Sequence, residues 1–150
     1  FRKDFDIAFF FPPCTNLSVS GARWFRQKGL RGLIQALELF ERSVTLAEWL
    51  GCPYMIENPV STISSYYRKP DYTFQPWEYG DMYVKKTCLW TGNGFIMPQP
   101  TITRKPENVD ERIWRMAPSA DRGDKRSETP QGFAQAVFNA NIMENQRAAV

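Results

Sequence analysis

Two consecutive prolines, Pro12 and Pro13, close a short apolar run, Ile7-Ala8-Phe9-Phe10-Phe11, and a cysteine follows at once. A run of this length reads as a buried strand. Each proline fixes φ and removes an N–H donor, so the strand cannot continue. Cys14 is thereby set on a stiff loop at the carboxyl end of a strand, the edge where open α/β sheets bind ligands. Further along, Leu33, Ile34, Leu37, Phe40, Val44, Ala47 and Leu50 recur at spacings of three and four. That spacing predicts a helix over 32–50 with one apolar face, ended by Gly51 as a left-handed cap. Tyr54-Met55-Ile56 is then a second short strand, ending in Glu57-Asn58-Pro59. Strand, helix, strand in this order predicts a right-handed crossover between parallel strands, with both carboxyl ends on one sheet edge.

On that topology the Cys14 thiol and the Glu57 carboxylate open into one pocket. Small and hydroxyl residues, including Ser18 and Ser20, lead from Cys14 to Gly21, and a basic, aromatic helix start, Ala22-Arg23-Trp24-Phe25-Arg26, follows. A thiol on such a loop reads as a nucleophile. Taken singly, each residue also has an ordinary reading. Cys14 alone is a small hydrophobe, and Glu57 alone is a solvated or capping carboxylate.

The two stretches together resemble the DNA (cytosine-5) methyltransferases. That family's nucleophile motif is matched in spacing by Pro12, Pro13, Cys14, Ser18 and Gly21, and its Glu-Asn-Val element by Glu57-Asn58-Pro59, with proline in place of valine. The segments Pro-Pro-Cys-Thr, Ser-Gly-Ala-Arg-Trp-Phe and Glu-Asn-Pro-Val look most like a compact branch carried by phages and mobile elements, and the resemblance spans roughly Asp4 to Ala140. It implies that the Cys14 thiolate adds to C6 of cytosine, which makes C5 electron-rich enough to take a methyl group from S-adenosylmethionine. It implies that Glu57 holds the ring at N3 and the exocyclic amine and that Asn58 fixes the loop. It places Pro13, Ser18, Ser20, Arg23, Arg68 and Arg104 against the substrate, and Pro12 and Thr129 against the cofactor. Arg126, Thr129 and Pro130 resemble the family's late Arg-x-x-Thr-Pro element. A cytosine within duplex DNA would have to be flipped out of the stack to reach the thiol.

The chain has 150 residues, a net charge of +3 and an apolar fraction of 43 %. These values suit one globular domain over 1–150, mildly basic and compatible with DNA as partner. There is no histidine, which removes Ser-His and Cys-His dyads and histidine metal sites. Cys14, Cys52 and Cys88 form no Cys-x-x-Cys pair, so no zinc site is expected. An odd number of cysteines, with no long apolar span, points to a reducing cytoplasm and no membrane.

The glycine-rich strand-loop-helix that holds S-adenosylmethionine in such enzymes is not found. Trp90-Thr91-Gly92-Asn93-Gly94-Phe95 leads to prolines and reads as a hairpin-type turn. The expected architecture is therefore a three-layer α/β sandwich with a mostly parallel sheet, a partial Rossmann-like methyltransferase fold. It is completed by a homodimer or by a complementing N-terminal segment. Short helices are expected over 22–29 and 61–67, a strand over 85–91, and a final helix from Thr129-Pro130 to Asn141. The buried face of that helix is Phe133, Ala136, Val137 and Ala140, and 142–150 is a frayed tail. Between them, 68–80 reads as an ordered loop. There Arg68 and Lys69, with Lys85 and Lys86 beyond, meet phosphates, and Trp77 or Tyr79 stacks on a base. The same loop could instead be tied down by its own aromatics. The function expected is cytosine C5 methylation through a Cys14 adduct. The alternatives are a non-catalytic DNA- or partner-binding remnant and another one-carbon transfer to a pyrimidine nucleotide.

Overall fold

Three residues, Ala8–Phe10, are all that the prolines leave of the first strand, β1. A computed structural model of the chain describes residues 5–111 and 127–143. Among them the fold is α/β, with an open mixed sheet of four strands and three α-helices. A 3-10 turn at Val19–Trp24 leads into α1, Phe25–Leu50. Next come β2 (Tyr54–Pro59), α2 (Ile63–Tyr66), β3 (Tyr72–Phe74), a 3-10 turn at Pro76–Tyr79, β4 (Thr87–Gly92) and α3 (Gln131–Phe138). The helical path continues as a π-helical turn over Asn139–Met143.

The strand order is β1-β2-β4-β3. β1 and β2 are parallel, with Ala8, Phe9 and Phe10 opposite Tyr54, Met55 and Ile56. β4 enters antiparallel to β2, from Tyr54 opposite Gly92 to Pro59 opposite Thr87. The parallel sense expected of the sheet thus holds for β1 and β2, and β4 makes the sheet mixed. Asn93 and Gly94 both have positive φ, 53° and 83°, and the Phe95 N–H bonds the Gly92 carbonyl at 3.2 Å. The expected turn at the glycine pair is thus present, but among the described residues no strand follows β4 to make it a hairpin.

The residues fall into two compact units, Phe1–Thr73 with Thr87–Phe95, and Phe74–Lys86 with Ile96–Val150. In the first unit, Tyr54 and Ile56 of β2 and Cys88 and Trp90 of β4 pack with Ala36, Phe40 and Ala47 of α1, joined by Leu17 and Ile63. Strand period two puts Tyr54, Ile56 and Asn58 on this face and Met55 and Glu57 on the other. Phe40 meets Trp90 edge-on at 5.2 Å. The expected helix face needs one correction: Ile34 is 53 % exposed, whereas Ala36 is buried. Small residues at 36 and 47 let the helix approach the sheet, and the buried stripe turns toward them. Gly29, at φ 68° and ψ 179°, interrupts α1, so the short helix expected to end there does end there. Gly51 closes α1 with φ 71°.

The second unit is held by aromatic packing. Phe74 stacks on Phe133 at 3.8 Å, and Tyr79 sits edge-on to both. The Tyr79 hydroxyl donates to the Pro98 carbonyl at 2.8 Å. Burial, helped by the charge of Glu78, pushes its phenol up to about 12. Phe133 and Val137 are the buried residues of α3, while Ala136 and Ala140 are half-buried. Asn141 brackets Ile96, accepting its N–H and donating to its carbonyl. Arg126 and residues 144–150 of the expected tail lie outside the described residues.

Candidate functional site

The sharp stop at Pro12 forces the chain to turn immediately beyond β1. The Cys14 carbonyl accepts the N–H groups of Leu17 and Ser18, each at 2.9 Å, which closes the loop into a tight turn with Leu17 fully buried beneath it. From there the loop pairs with the segment beyond β2. Ser18 and Ser61 form an antiparallel bridge, Val19 donates to the Val60 carbonyl at 3.0 Å, and Thr62 donates to the Leu17 carbonyl at 3.1 Å. Asn58, wholly buried, donates from Nδ2 to the Pro12 carbonyl at 3.0 Å. Such a bond in a dry interior contributes about 1 kcal/mol net, and its loss costs more because a buried acceptor is left unmet.

The loops after two neighbouring parallel strands are therefore stitched together at one sheet edge. Cys14 and Glu57 both sit on that edge, and both are half-buried. Oε1 of Glu57 is buried. Cys14 is in no disulfide and takes no part in the hydrophobic core, whereas Cys52 and Cys88 are buried. Three further polar atoms at this edge, Asn58 Oδ1, Ser61 Oγ and Thr62 Oγ1, are buried without a hydrogen-bond partner. Buried polar atoms are normally satisfied, so these three set this edge apart from the rest of the described residues.

Other expected residues are distributed unevenly. Ser18 is buried, with its hydroxyl 2.9 Å from that of Ser20, which is exposed. Pro13 is exposed beside Cys14, and Arg23 lies over the ring of its neighbour Trp24 at 5.1 Å. Arg23, Arg26, Lys28 and Arg31 follow the Cys14 loop, and the sequence has no carboxylate between Asp6 and Glu38. The edge is consequently flanked by an unbroken run of positive charge.

Arg68 is elsewhere. Its guanidinium donates to Asp71 Oδ1 at 2.6 Å and to the Thr91 carbonyl at 3.1 Å, and its own carbonyl accepts from Trp90 Nε1 at 2.8 Å. Thr91 lies opposite Met55, at the amino end of β2. About three residues of strand, roughly 10 Å, separate that point from Asn58. Burial works against the Asp71 charge, but the hydrogen bonds from Arg68 and the Thr91 N–H outweigh it and hold the carboxyl below its ordinary range. Arg104 and Thr129 belong to the second unit, as do Lys85, whose Nζ donates to the Glu128 carbonyl, and Tyr79, whose ring is packed.

Pro12 has only a carbonyl to offer a cofactor, and that carbonyl accepts from Asn58. Among the described residues, no group of three or more Cys, Asp or Glu could hold a metal ion. None of their helices is long and apolar enough to cross a membrane.

The sequence reading missed Asn16, Lys28, Ser61 and Thr62. Asn16 donates to the Gly32 carbonyl at 3.1 Å, and Lys28 reaches the Thr15 carbonyl, so both bind the Cys14 loop to α1. Gly29 and the Ser-Thr pair directly after Pro59 were the available signals. No family model matches the chain, and neither a curated protein nor a solved structure matches it.

Proposed function

We propose that the first unit is the ring-activating half of a DNA cytosine-5 methyltransferase, built on part of a Rossmann-like fold. The observation that carries this reading is the Asn58–Pro12 hydrogen bond, which ties the Cys14 loop to the Glu57 strand end. In the proposed reaction the thiol proton leaves to solvent and Cys14 Sγ forms a bond to C6. The C5–C6 π pair then shifts to C5, which becomes the nucleophile. Glu57 accepts from the exocyclic amine and, carrying its carboxyl proton, donates to N3, which stabilises the negative charge that builds there during addition. Asn58 and the loop hydrogen bonds keep the thiol in place. The basic run from Arg23 to Arg31 supports DNA as the partner, because phosphate neutralisation supplies much of such binding. Resemblance alone names S-adenosylmethionine as methyl donor. Three cysteines outside any disulfide agree with a reducing cytoplasm.

The test is duplex DNA carrying 5-fluorocytosine, incubated with the protein with and without S-adenosylmethionine. A denaturation-resistant protein–DNA adduct that disappears in Cys14→Ala is expected. An adduct that survives Cys14→Ala, or DNA that binds without any adduct, overturns the reading. A second reading, a binding remnant without chemistry, is favoured by β1 being an edge strand near which Phe9 and Phe11 are 44 % and 49 % exposed. It predicts salt-sensitive DNA binding, or self-association, unchanged in Cys14→Ala.

A further inference from the structure

A cavity of about 360 Å³ lies beside the candidate site, lined by Asn16, Phe25, Arg26, Lys28, Gly29, Leu30, Leu33, Thr62 and Tyr66. Its volume falls at the small end of ligand sites. Two aromatic rings and two leucines offer apolar walls, two cations offer charge, and among the described residues no carboxylate lines it. Lys28 spends one hydrogen on the Thr15 carbonyl and has two more to give. Thr62, which the cavity shares with the edge beyond β2, has a buried hydroxyl that meets no hydrogen-bond partner.

From this combination we infer that the cavity is a nucleotide subsite distinct from the Cys14–Glu57 pair. The rings and leucines take the planar base, Arg26 and Lys28 take the phosphate, and Thr62 meets a polar edge. A simple inorganic anion would leave the apolar walls unused, and an uncharged aromatic would leave the cations unused. The nucleotide is either free or part of a single strand, and both present the same chemistry.

Titration calorimetry on the Cys14→Ala protein separates this inference from the thiol chemistry. The probes are deoxyadenosine monophosphate, inorganic phosphate and a short single-stranded oligonucleotide. Binding of the mononucleotide, with phosphate at least tenfold weaker, identifies a free nucleotide as the ligand. Binding of the oligonucleotide alone identifies a strand. In either case Arg26→Ala and Tyr66→Ala each weaken binding about tenfold, and Tyr66→Phe restores it. Both side chains are exposed enough for these variants to fold. Failure of both nucleotide probes to bind, or binding unchanged in the Arg26→Ala, Tyr66→Ala double variant, overturns the inference.

Discussion

The two ends of β2 make opposite use of similar side chains. At the amino end, Arg68, Asp71, Thr91 and Trp90 satisfy one another: Arg68 holds Asp71, Asp71 accepts the Thr91 N–H at 2.7 Å, and Trp90 bonds the Arg68 carbonyl. At the carboxyl end, Asn58 anchors Pro12, yet Asn58 Oδ1, Ser61 Oγ and Thr62 Oγ1 are buried and unmet. A charged cluster that closes on itself is scaffold. A polar edge with bonding capacity to spare, beside a thiol and a carboxylate, is where chemistry is to be sought. An arginine is therefore no sign of substrate binding until its partners are counted.

That contrast can be broken at several points. The largest expected effect is on the amino-end scaffold. Phe40 is 2 % exposed against Trp90 and Tyr67, so Phe40→Ala is expected to cost about 3–5 kcal/mol in denaturant unfolding. At the other end, Glu57→Gln should slow thiol addition to cytosine by about 10²–10³, the usual loss when a group aimed at developing charge is removed. Unfolding stability should hardly change; a large stability loss would make Glu57 scaffold too. Asn58→Ala removes the buried anchor and leaves the Pro12 carbonyl without this donor, at a cost of about 1–3 kcal/mol measured the same way.

The smallest effect belongs to Asp71. It and Arg68 are 35 % and 34 % exposed, so solvent screens the pair, and Asp71→Asn should cost about 1 kcal/mol or less. Because folding lowers the Asp71 pKa, its contribution is present above the ordinary carboxylate range. It is lost as pH falls below that range. The difference between wild type and Asp71→Asn should therefore shrink on acidification. A difference that grows would refute the assignment.

Much of this was legible in the residues. The proline stop, the Gly29 break, the Gly51 cap and the Asn93-Gly94 turn are local, and local stereochemistry dictates them. The Cys14 and Glu57 placements required only that two short strands joined by a helix run parallel. What escaped was non-local. Nothing in Arg68-Lys69-Pro70-Asp71 tells which end of the sheet the chain will reach, because the antiparallel entry of β4 decides it. Ile34 looked internal because large residues were counted, whereas Ala36 and Ala47 set the contact. No boundary between the two units was visible because the chain crosses between them at Phe74, Thr87 and Ile96, without a linker of distinct composition. The pairing of Leu17–Val19 with Val60–Thr62, which builds the site, joins two loops that individually carry no pattern.

The proposed chemistry has a signature that needs no methyl donor. Sulfur addition at C6 makes C5 basic, so C5 takes up a solvent deuteron, then gives its original proton to solvent as the C5–C6 double bond re-forms and the thiolate leaves. Mass spectrometry of cytosine from DNA incubated with the protein in D₂O reads this directly. Deuterium at C5 with wild type, absent with Cys14→Ala and strongly reduced with Glu57→Gln, is the predicted result. Exchange that persists without the Cys14 thiol, or bound DNA whose C5 hydrogen never exchanges, would contradict it.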